Sequence, residues 1–393
     1  MADHLVLVKC DRLEVGMYVA ELDRSWLHTP FAKHGFLIAQ HSQIDILRRC
    51  CNYVYVDTEQ SESGLVSDTE VIDNSPQPDT EYQLNAMPHG LSQTRSILHA
   101  VATQVAATVR TARRHGTVDI GPIKQRIDVL IDSVLSNPDA PQLLMSAEPT
   151  PGFLNRRSLG TATLCIVFGR HLGLDRKELE NLALGGVLLD IGKIAVPIPI
   201  LVKPKHLNAS ERSFVNCHVN HGLSLVTRHS SVPERVVEMV HGHHERLDGS
   251  GYPRQIGGSE IPLYARIAGI VDTFDALTLN RRYAAARSAH SALRFLHTMR
   301  DIKFDSAIVD EFVRALGIFP TGTFVELADK SIGLVFSQNT GRPKRPNVLL
   351  TADSSGRPIK TFRILETGVH ARIARTLPPN RITTEPVFTQ VAG

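Results

Sequence analysis

A mainly α-helical protein with small β-containing segments at both ends is predicted from three features of the 393-residue chain. Apolar residues recur at helical spacing between residues 91 and 315, and short apolar runs separated by turn residues occupy both ends. An acidic stretch without Lys or Arg separates the first end from the helical part. We therefore expect an α/β module over residues 1–58, a flexible linker over 59–90, a helical domain over 91–315 and a β appendage over 316–393.

Composition limits the class of protein. The apolar fraction is 42% and the charged fraction is 21%, as in an ordinary globular chain. The 43 basic and 40 acidic residues give a net charge of +3, which does not indicate a nucleic-acid partner. No window approaches the roughly 20 apolar residues of a membrane-spanning helix, and the N-terminus does not read as a signal peptide. Five Cys without CxxC spacing indicate reduced thiols, so we expect a cytoplasmic protein without membrane contact.

The predicted strands lie in the two terminal segments. In the N-terminal module we expect strands over residues 5–8, 17–19 and 53–56, with a short helix over 44–49 before the last of them. In the C-terminal appendage we expect strands over residues 323–327, 332–336 and 348–350.

The predicted helices follow from apolar periodicity. From Ser92 onward, apolar side chains at four-residue spacing form one stripe that ends at Gly116. A second helix starts at Pro122, a residue suited to the first helical turn. The apolar residues that it is expected to bury are Ile123, Ile127, Leu130, Ile131 and Val134. Further helices are expected over residues 159–172, 176–189, 210–228 and 233–241.

Candidate metal ligands are concentrated between residues 189 and 283. Asp190 lies near the end of an apolar helix, and Lys193 follows three residues later on the same face. Imidazole and carboxylate groups are the ligands that Zn, Fe and Mn take, and inward-pointing ligands on helices commonly build a one- or two-metal site. Two-metal sites stabilise the attacking and leaving oxygens in phosphoester cleavage. The candidate ligands are Asp190, His218, His243, His244 and Asp272.

Other polar residues in this region have simpler interpretations. Cys217 is adjacent to His218, but neighbouring helical residues point about 100° apart, which disfavours a nucleophile pair. His221 and His241 lie close in sequence to the candidate ligands and could fill a vacant ligand position. Exposed or helix-capping roles are favoured for both.

The sequence HHERLDGSGYP, residues 243–253, resembles the HHExxDGxGYP signature of HD-GYP domains, the helical metal-dependent phosphodiesterases of bacterial cyclic di-GMP signalling. The likeness continues in DIGKIAVP, which resembles the family's HDIGKIAIP segment without its His, and in DTFDALTLNRRY. Residues 5–57 resemble the domain of unknown function that often precedes HD-GYP domains, and GIFPTGTFVELADKSIGLVF resembles their C-terminal continuation. The resemblance implies an HD-GYP helical domain and covers nearly the whole chain outside the linker.

The resemblance implies two metal positions, of which one keeps its protein ligands. That position would be held by Asp190, His218, His243 and His244. The other would be held by Asp272 and the HD pair with an early His, but Arg157 and Leu189 stand where this position has its two His. An alkyl group cannot donate to a metal, and a guanidinium repels one. We therefore expect one divalent transition-metal ion, such as Fe or Mn, rather than two.

Cyclic di-GMP is the ligand that the resemblance implies. Lys193 and Arg281 match the basic residues that face the dinucleotide phosphates, whereas Ala284 replaces a third. Asp190 and Lys193 would carry the catalytic role. The remaining substrate-binding residues would be Gly251, Tyr252 and Pro253 of the GYP loop. In this family the loop is also associated with docking to GGDEF domains, the cyclic di-GMP synthases.

Two functions remain open on the sequence alone. One is a metal-dependent phosphodiesterase that converts cyclic di-GMP to the linear dinucleotide pGpG or to GMP, impaired by the loss of two ligands. The other is a non-catalytic protein that binds cyclic di-GMP or a GGDEF partner through the GYP loop. We also expect Arg157 to act as a built-in cation in a salt bridge to Asp190, Asp272 or both; a surface position on an early helix is the alternative.

Overall fold

The computed structural model divides into two compact units. One comprises residues 1–81, with which residues 171–173 are grouped, and the other comprises the rest of the chain. The structure describes residues 5–22, 35–51, 53–62, 87–147, 153–201, 203, 205–228, 231–279, 287–339, 345–359, 363–368 and 371–377. Most of the expected linker lies outside these residues.

The first unit contains a four-stranded antiparallel sheet with the spatial order β1-β4-β2-β3. Its elements are β1 (Leu5–Lys9), β2 (Tyr18–Leu22), β3 (Phe36–Leu37), α1 (His41–Cys50) and β4 (Tyr53–Asp57). Val54 and Val56 alternate inward along β4 and share a small apolar core with Ile38 and Leu47. The expected α/β module is present, with the two-residue strand β3 added to the predicted ones.

The second unit is formed mainly by helices. They are α2 (Met87–His115), α3 (Gly121–Ser136), α4 (Asp139–Ala147), α5 (Phe153–His171), α6 (Arg176–Leu188), α7 (Ile198–Leu201), α8 (Ala209–Asn216), α9 (His218–Thr227), α10 (Glu234–Gly242), α11 (Leu263–Thr278), α12 (Ala289–Thr298) and α13 (Ser306–Leu316). Helix α3 buries the five predicted apolar residues and has Pro in its first turn. The mainly helical fold class is confirmed. In the described part of the chain, no helix has the length and apolar content to cross a membrane.

The helix expected over residues 159–172 begins earlier, at Phe153, and two other helix boundaries also differ from those expected. The helix expected over residues 210–228 is two helices, α8 and α9, which meet at Cys217. No Gly or Pro stands at this break, so the residue pattern did not reveal it. The break makes His218 the first residue of α9. Helix α2 begins at Met87, ahead of the expected start at Ser92.

A 3-10 turn after α6 brings Asp190 against α9. The turn, Ile191–Ala195, begins directly after Asp190. Gly192 lies so close to α9 that an added Cβ would be 1.9 Å from the carbonyl oxygen of His218 and 2.4 Å from the amide nitrogen of Gly222. Only Gly permits this approach of two backbones. Gly192 therefore sets how near Asp190 comes to His218.

A five-stranded antiparallel sheet follows the helices, with the order β8-β7-β6-β5-β9. The strands are β5 (Phe324–Leu327), β6 (Ile332–Ser337), β7 (Asn347–Ala352), β8 (Ile364–Glu366) and β9 (Ile373–Thr376). Val325, Val335 and Val348 share its apolar core. The three predicted strands are present. The two that were not predicted, β8 and β9, are short edge strands without a fully buried residue, so they lack the apolar alternation that marks a strand.

Gly192→Ala should separate the 3-10 turn from α9 and displace Asp190. Overpacking a core costs about 1–3 kcal/mol. Here the clash is with backbone atoms that cannot rotate away, so we expect a loss of about 3 kcal/mol or more in the free energy of unfolding, measured in urea. The control is Gly90→Ala at an exposed position of α2, where a Cβ meets nothing within 4 Å. Equal stability of the two variants would contradict the role given to Gly192.

Candidate metal centre

Four of the five candidate ligands converge on one point in the second unit. Each offers one donor atom, and these atoms all lie within 4.8 Å of one another. The four residues, called the ligand cluster below, are Asp190, His218, His243 and His244. They come from the turn after α6, the start of α9 and the end of α10. The first three are buried and His244 is half-buried. The expected convergence is therefore observed.

Backbone hydrogen bonds determine which ring nitrogen of two His faces this point. Nδ1 of His218 lies 2.8 Å from the carbonyl oxygen of Val215, and Nδ1 of His243 lies 3.0 Å from that of Val240. Because a carbonyl can only accept, Nδ1 donates in both rings, and in the neutral imidazole Nε2 then keeps its lone pair. Bonds of this kind commonly orient His ligands toward a metal.

Three buried acceptor atoms in the ligand cluster receive no hydrogen bond from any described residue. They are Asp190 Oδ1, His218 Nε2 and His243 Nε2. His218 Nε2 lies 3.3 Å from Asp190 Oδ1, and neither atom has a hydrogen-bond partner among the described residues. Unpaired buried polar atoms are costly. A cation between them would satisfy all three atoms, and His and carboxylate donors suit Zn, Fe or Mn. The residues present therefore fit a divalent metal ion.

Two of the three imidazoles, those of His243 and His244, are held in the neutral form that a metal requires. Burial lowers the pKa of His243 to about 4, and the neighbouring His218 acts in the same direction. Burial, together with His243 and His218, lowers the pKa of His244 well below its usual value. Because only neutral imidazole donates a lone pair, neither ring has to release a proton at neutral pH before it can bind a metal.

Arg157 is buried beside the ligand cluster, between two carboxylates. Its side chain is 5% exposed. Nε donates to Asp190 Oδ2 at 3.0 Å, and Nη2 donates to Asp272 Oδ1. Burial alone opposes the charge, but the carboxylates of Asp272 and Asp190 outweigh it and raise the pKa of Arg157. The expected salt bridge thus joins both carboxylates, and the alternative of a surface residue is wrong.

Asp190 accepts a second cation on the same oxygen. Lys193 Nζ lies 2.7 Å from Oδ2. Burial alone would raise the pKa of Asp190, but Lys193 and Arg157 hold the pKa of this carboxyl well below its usual value. Oδ2 is therefore occupied by two cationic side chains, whereas Oδ1 belongs to the ligand cluster. Asp272, the fifth candidate ligand, is bound by Arg157 and lies outside the four-residue cluster.

The GYP loop packs against the ligand cluster. The Tyr252 ring stacks on His244, with ring centroids 4.5 Å apart and 27° between the planes. The Tyr252 amide donates to the His244 carbonyl at 3.2 Å. A Cβ at Gly251 would be 2.4 Å from Cα of Glu245, so the loop folds back on its own start only with Gly at this position. The half-buried Tyr252 and Pro253 therefore lie beside a candidate ligand.

The other candidates lie apart from the ligand cluster. His221 is exposed and His241 is half-buried, and neither offers a donor to the cluster. Cys217 is exposed, and its Sγ donates to the carbonyl of Ser213. Arg281, an expected phosphate contact, lies outside the described residues.

Asp275 is a buried charged residue to which the sequence motifs gave no role. Burial raises its pKa to about 7; Arg157 opposes this shift and the charge of Asp272 adds to it. Gly160 on α5 makes room for it, since a Cβ there would be 2.6 Å from Asp275 Oδ1. The three-residue spacing from Asp272 is the signal that places both carboxylates on one face of α11.

Comparisons with known proteins point to one family. Residues 141–308 match the HD domain family, and residues 5–123 match a domain of unknown function, DUF3391. The chain is 30% identical over 334 residues to a cyclic di-GMP phosphodiesterase of Pseudomonas aeruginosa, and the alignment covers 84% of this chain and 80% of that protein.

Shorter alignments and a solved structure show similar relatives. The chain is 36% identical over 173 residues to 3'3'-cGAMP-specific phosphodiesterase 1 of Vibrio cholerae, which covers 41% of this chain and 38% of that protein. A solved HDG"Y"P protein of Bdellovibrio bacteriovorus covers 78% of this chain and 98% of its own at 14% identity, with a TM-score of 0.49. The HD-domain match and the extent of the Pseudomonas alignment show that the chain belongs to the HD-GYP family of HD-domain proteins.

Proposed function

We propose that the chain is a metal-dependent phosphodiesterase that hydrolyses cyclic di-GMP with one divalent ion held by the ligand cluster. The observation that carries this proposal is the set of three buried acceptor atoms that face one another without hydrogen bonds. Relatives named as cyclic di-GMP and 3'3'-cGAMP phosphodiesterases support a cyclic dinucleotide as the substrate class.

The reaction requires stabilisation of negative charge on the phosphoryl oxygens. A bound divalent ion supplies Lewis acidity toward the phosphoryl group and lowers the pKa of water. Lys193 places a positive charge beside the ligand cluster on a flexible side chain that is 14% exposed. It can therefore contact a phosphate of the substrate while it remains paired with Asp190. The Tyr252 ring offers an aromatic surface on which a guanine base can stack.

A second candidate function is favoured by Leu189. This residue is 2% exposed and carries no donor atom, so a two-metal arrangement is incomplete. The chain would then be a regulatory protein that binds cyclic di-GMP without cleaving it. The GGDEF-domain partner expected from the sequence has no support in the comparisons.

Protein reconstituted with Mn²⁺ or Fe²⁺ should convert cyclic di-GMP to pGpG, and His218→Asn should lose both the bound ion and more than about 100-fold of this activity. Products are separated by chromatography and metal is measured by atomic emission. The control is His221→Asn, an exposed His on the same helix, which should keep both.

Three results would change the assignment. Tight cyclic di-GMP binding without turnover selects the regulatory function. Faster hydrolysis of 3'3'-cGAMP, assayed in parallel, makes that dinucleotide the substrate. Neither binding nor turnover of either compound refutes the proposal.

Lys193→Gln should weaken binding of cyclic di-GMP by about tenfold or more, because a hydrogen bond to a charged group contributes about 1.5–3 kcal/mol. The bound metal should remain. Calorimetry on the metal-loaded protein measures the affinity. Lys203→Gln is the matched control, since Lys203 pairs with Glu211 at 2.6 Å. An unchanged affinity in Lys193→Gln would mean that Lys193 serves Asp190 alone.

A further inference from the structure

We propose that the guanidinium of Arg157 is a permanent cation in the place of a second metal ion, so that the centre binds at most one ion. This inference deepens the proposed function, since it states the ion capacity of the same site. It rests on the contacts of the buried Arg157 side chain with the carboxylates of Asp190 and Asp272.

Asp190 bridges two cation positions. Its Oδ1 lies 3.3 Å from Nε2 of His218 in the ligand cluster and has no hydrogen-bond partner among the described residues. Its Oδ2 receives Nε of Arg157 at 3.0 Å. Two-metal hydrolytic sites hold their ions about 3.5–4 Å apart, a separation that the two oxygens of one carboxylate can span. Arg157 thus lies where a second ion sharing Asp190 would lie.

Asp272 is the other anion at this second position. Nη2 of Arg157 donates to its Oδ1 while Nε binds Asp190, so the planar guanidinium joins two buried carboxylates. The charges of Arg157 and Lys193 balance those of Asp190 and Asp272. These four side chains therefore carry no net charge before any ion binds. A second divalent ion would have to expel a charged side chain and leave it without its partners, which is strongly unfavourable.

Leu189 acts in the same direction. It immediately precedes Asp190, is buried and has no donor atom. Even with Arg157 displaced, an ion at the second position would find the carboxylates of Asp190 and Asp272 and no ligand from residue 189. Removal of Arg157 would therefore open the second position to an ion held by two carboxylates alone, and a donor at position 189 would be needed to give that ion a further ligand.

A stability experiment tests the cation role without any activity measurement. Arg157→Met keeps an unbranched side chain and removes the charge. In metal-free protein its Tm should fall by roughly 5–15 °C, because two buried carboxylates lose their partner. Excess Mn²⁺ should raise the Tm of this variant more than that of the wild type, because the two carboxylates then accept an ion.

The control is Arg156→Met on the same turn of α5, where Nη2 donates to the carbonyl of Met145 at 2.9 Å. Its Tm should rise with Mn²⁺ no more than that of the wild type. An equal gain in the wild type and both variants would overturn the proposal, since loss of Arg157 would then have no effect on cation binding.

Ion counting gives the second test. Mn²⁺ bound per chain is measured by equilibrium dialysis for the wild type, Leu189→His and the double variant Arg157→His/Leu189→His. We expect no gain in Leu189→His and a gain of one ion in the double variant, with an electron paramagnetic resonance spectrum of coupled Mn²⁺ ions. A second ion in the wild type or in Leu189→His overturns the proposal, as does a folded double variant without a gain.

The metal-dependent function and the cation role of Arg157 are refuted by different results. A wild type without any bound ion refutes the proposed metal-dependent function, while the gain in the double variant still decides the role of Arg157. If the double variant does not fold, the Leu189→His count and the Mn²⁺ response of Arg157→Met decide it.

Discussion

The centre depends on one constraint, which is that the two carboxylate oxygens of Asp190 have different partners. Oδ2 is held by Arg157 and Lys193, which keeps the carboxyl ionised and prevents it from rotating. Oδ1 is thereby left facing the ligand cluster, where it lies 3.3 Å from His218 Nε2. A carboxylate without these two cations would have to be neutralised or solvated inside the helical unit. The same contacts that stabilise the buried charge therefore also orient the unpaired oxygen toward the ligand cluster.

The backbone supplies the rest of this orientation. Gly192 lets the 3-10 turn touch α9, and the break at Cys217 places His218 at the start of that helix. The Nδ1 atoms of His218 and His243 are bound by carbonyls at helix ends, where carbonyls and amides lack helical partners. The helix ends therefore have two roles. They position the two imidazole rings, and their carbonyl groups bind Nδ1 and so orient Nε2 toward the ligand cluster. The ligand cluster is positioned by packing and by backbone polarity.

Much of the fold and of the ligand cluster could be predicted from the sequence. The features that could not be predicted lack a local sequence signal for physical reasons. Apolar periodicity predicts the helices because each buries one face, and the HHExxDGxGYP pattern predicts which side chains gather because ligand chemistry restricts residue type. The helix break at Cys217 was not predicted, because apolar spacing does not indicate a change of helix axis where neither Gly nor Pro is present. Strands β8 and β9 were not predicted, because edge strands with little buried surface lack the alternation of apolar and polar residues. Which oxygen of Asp190 faces the His, and the burial of Asp275 against Gly160, depend on packing between distant segments and have no local signal.

Arg157 separates two properties that a metal pair combines. Its guanidinium supplies one positive charge, which together with that of Lys193 balances Asp190 and Asp272 and stabilises the fold around them. It cannot supply Lewis acidity, because it has no empty orbital to accept a lone pair, and with its raised pKa it cannot act as a proton donor near neutral pH. The structural role of a second ion is thus retained while its chemical role is lost. All water activation would then fall to the single ion of the ligand cluster, so a chain of this kind can keep its fold and its ligand while its turnover depends on how well one ion performs what two would share.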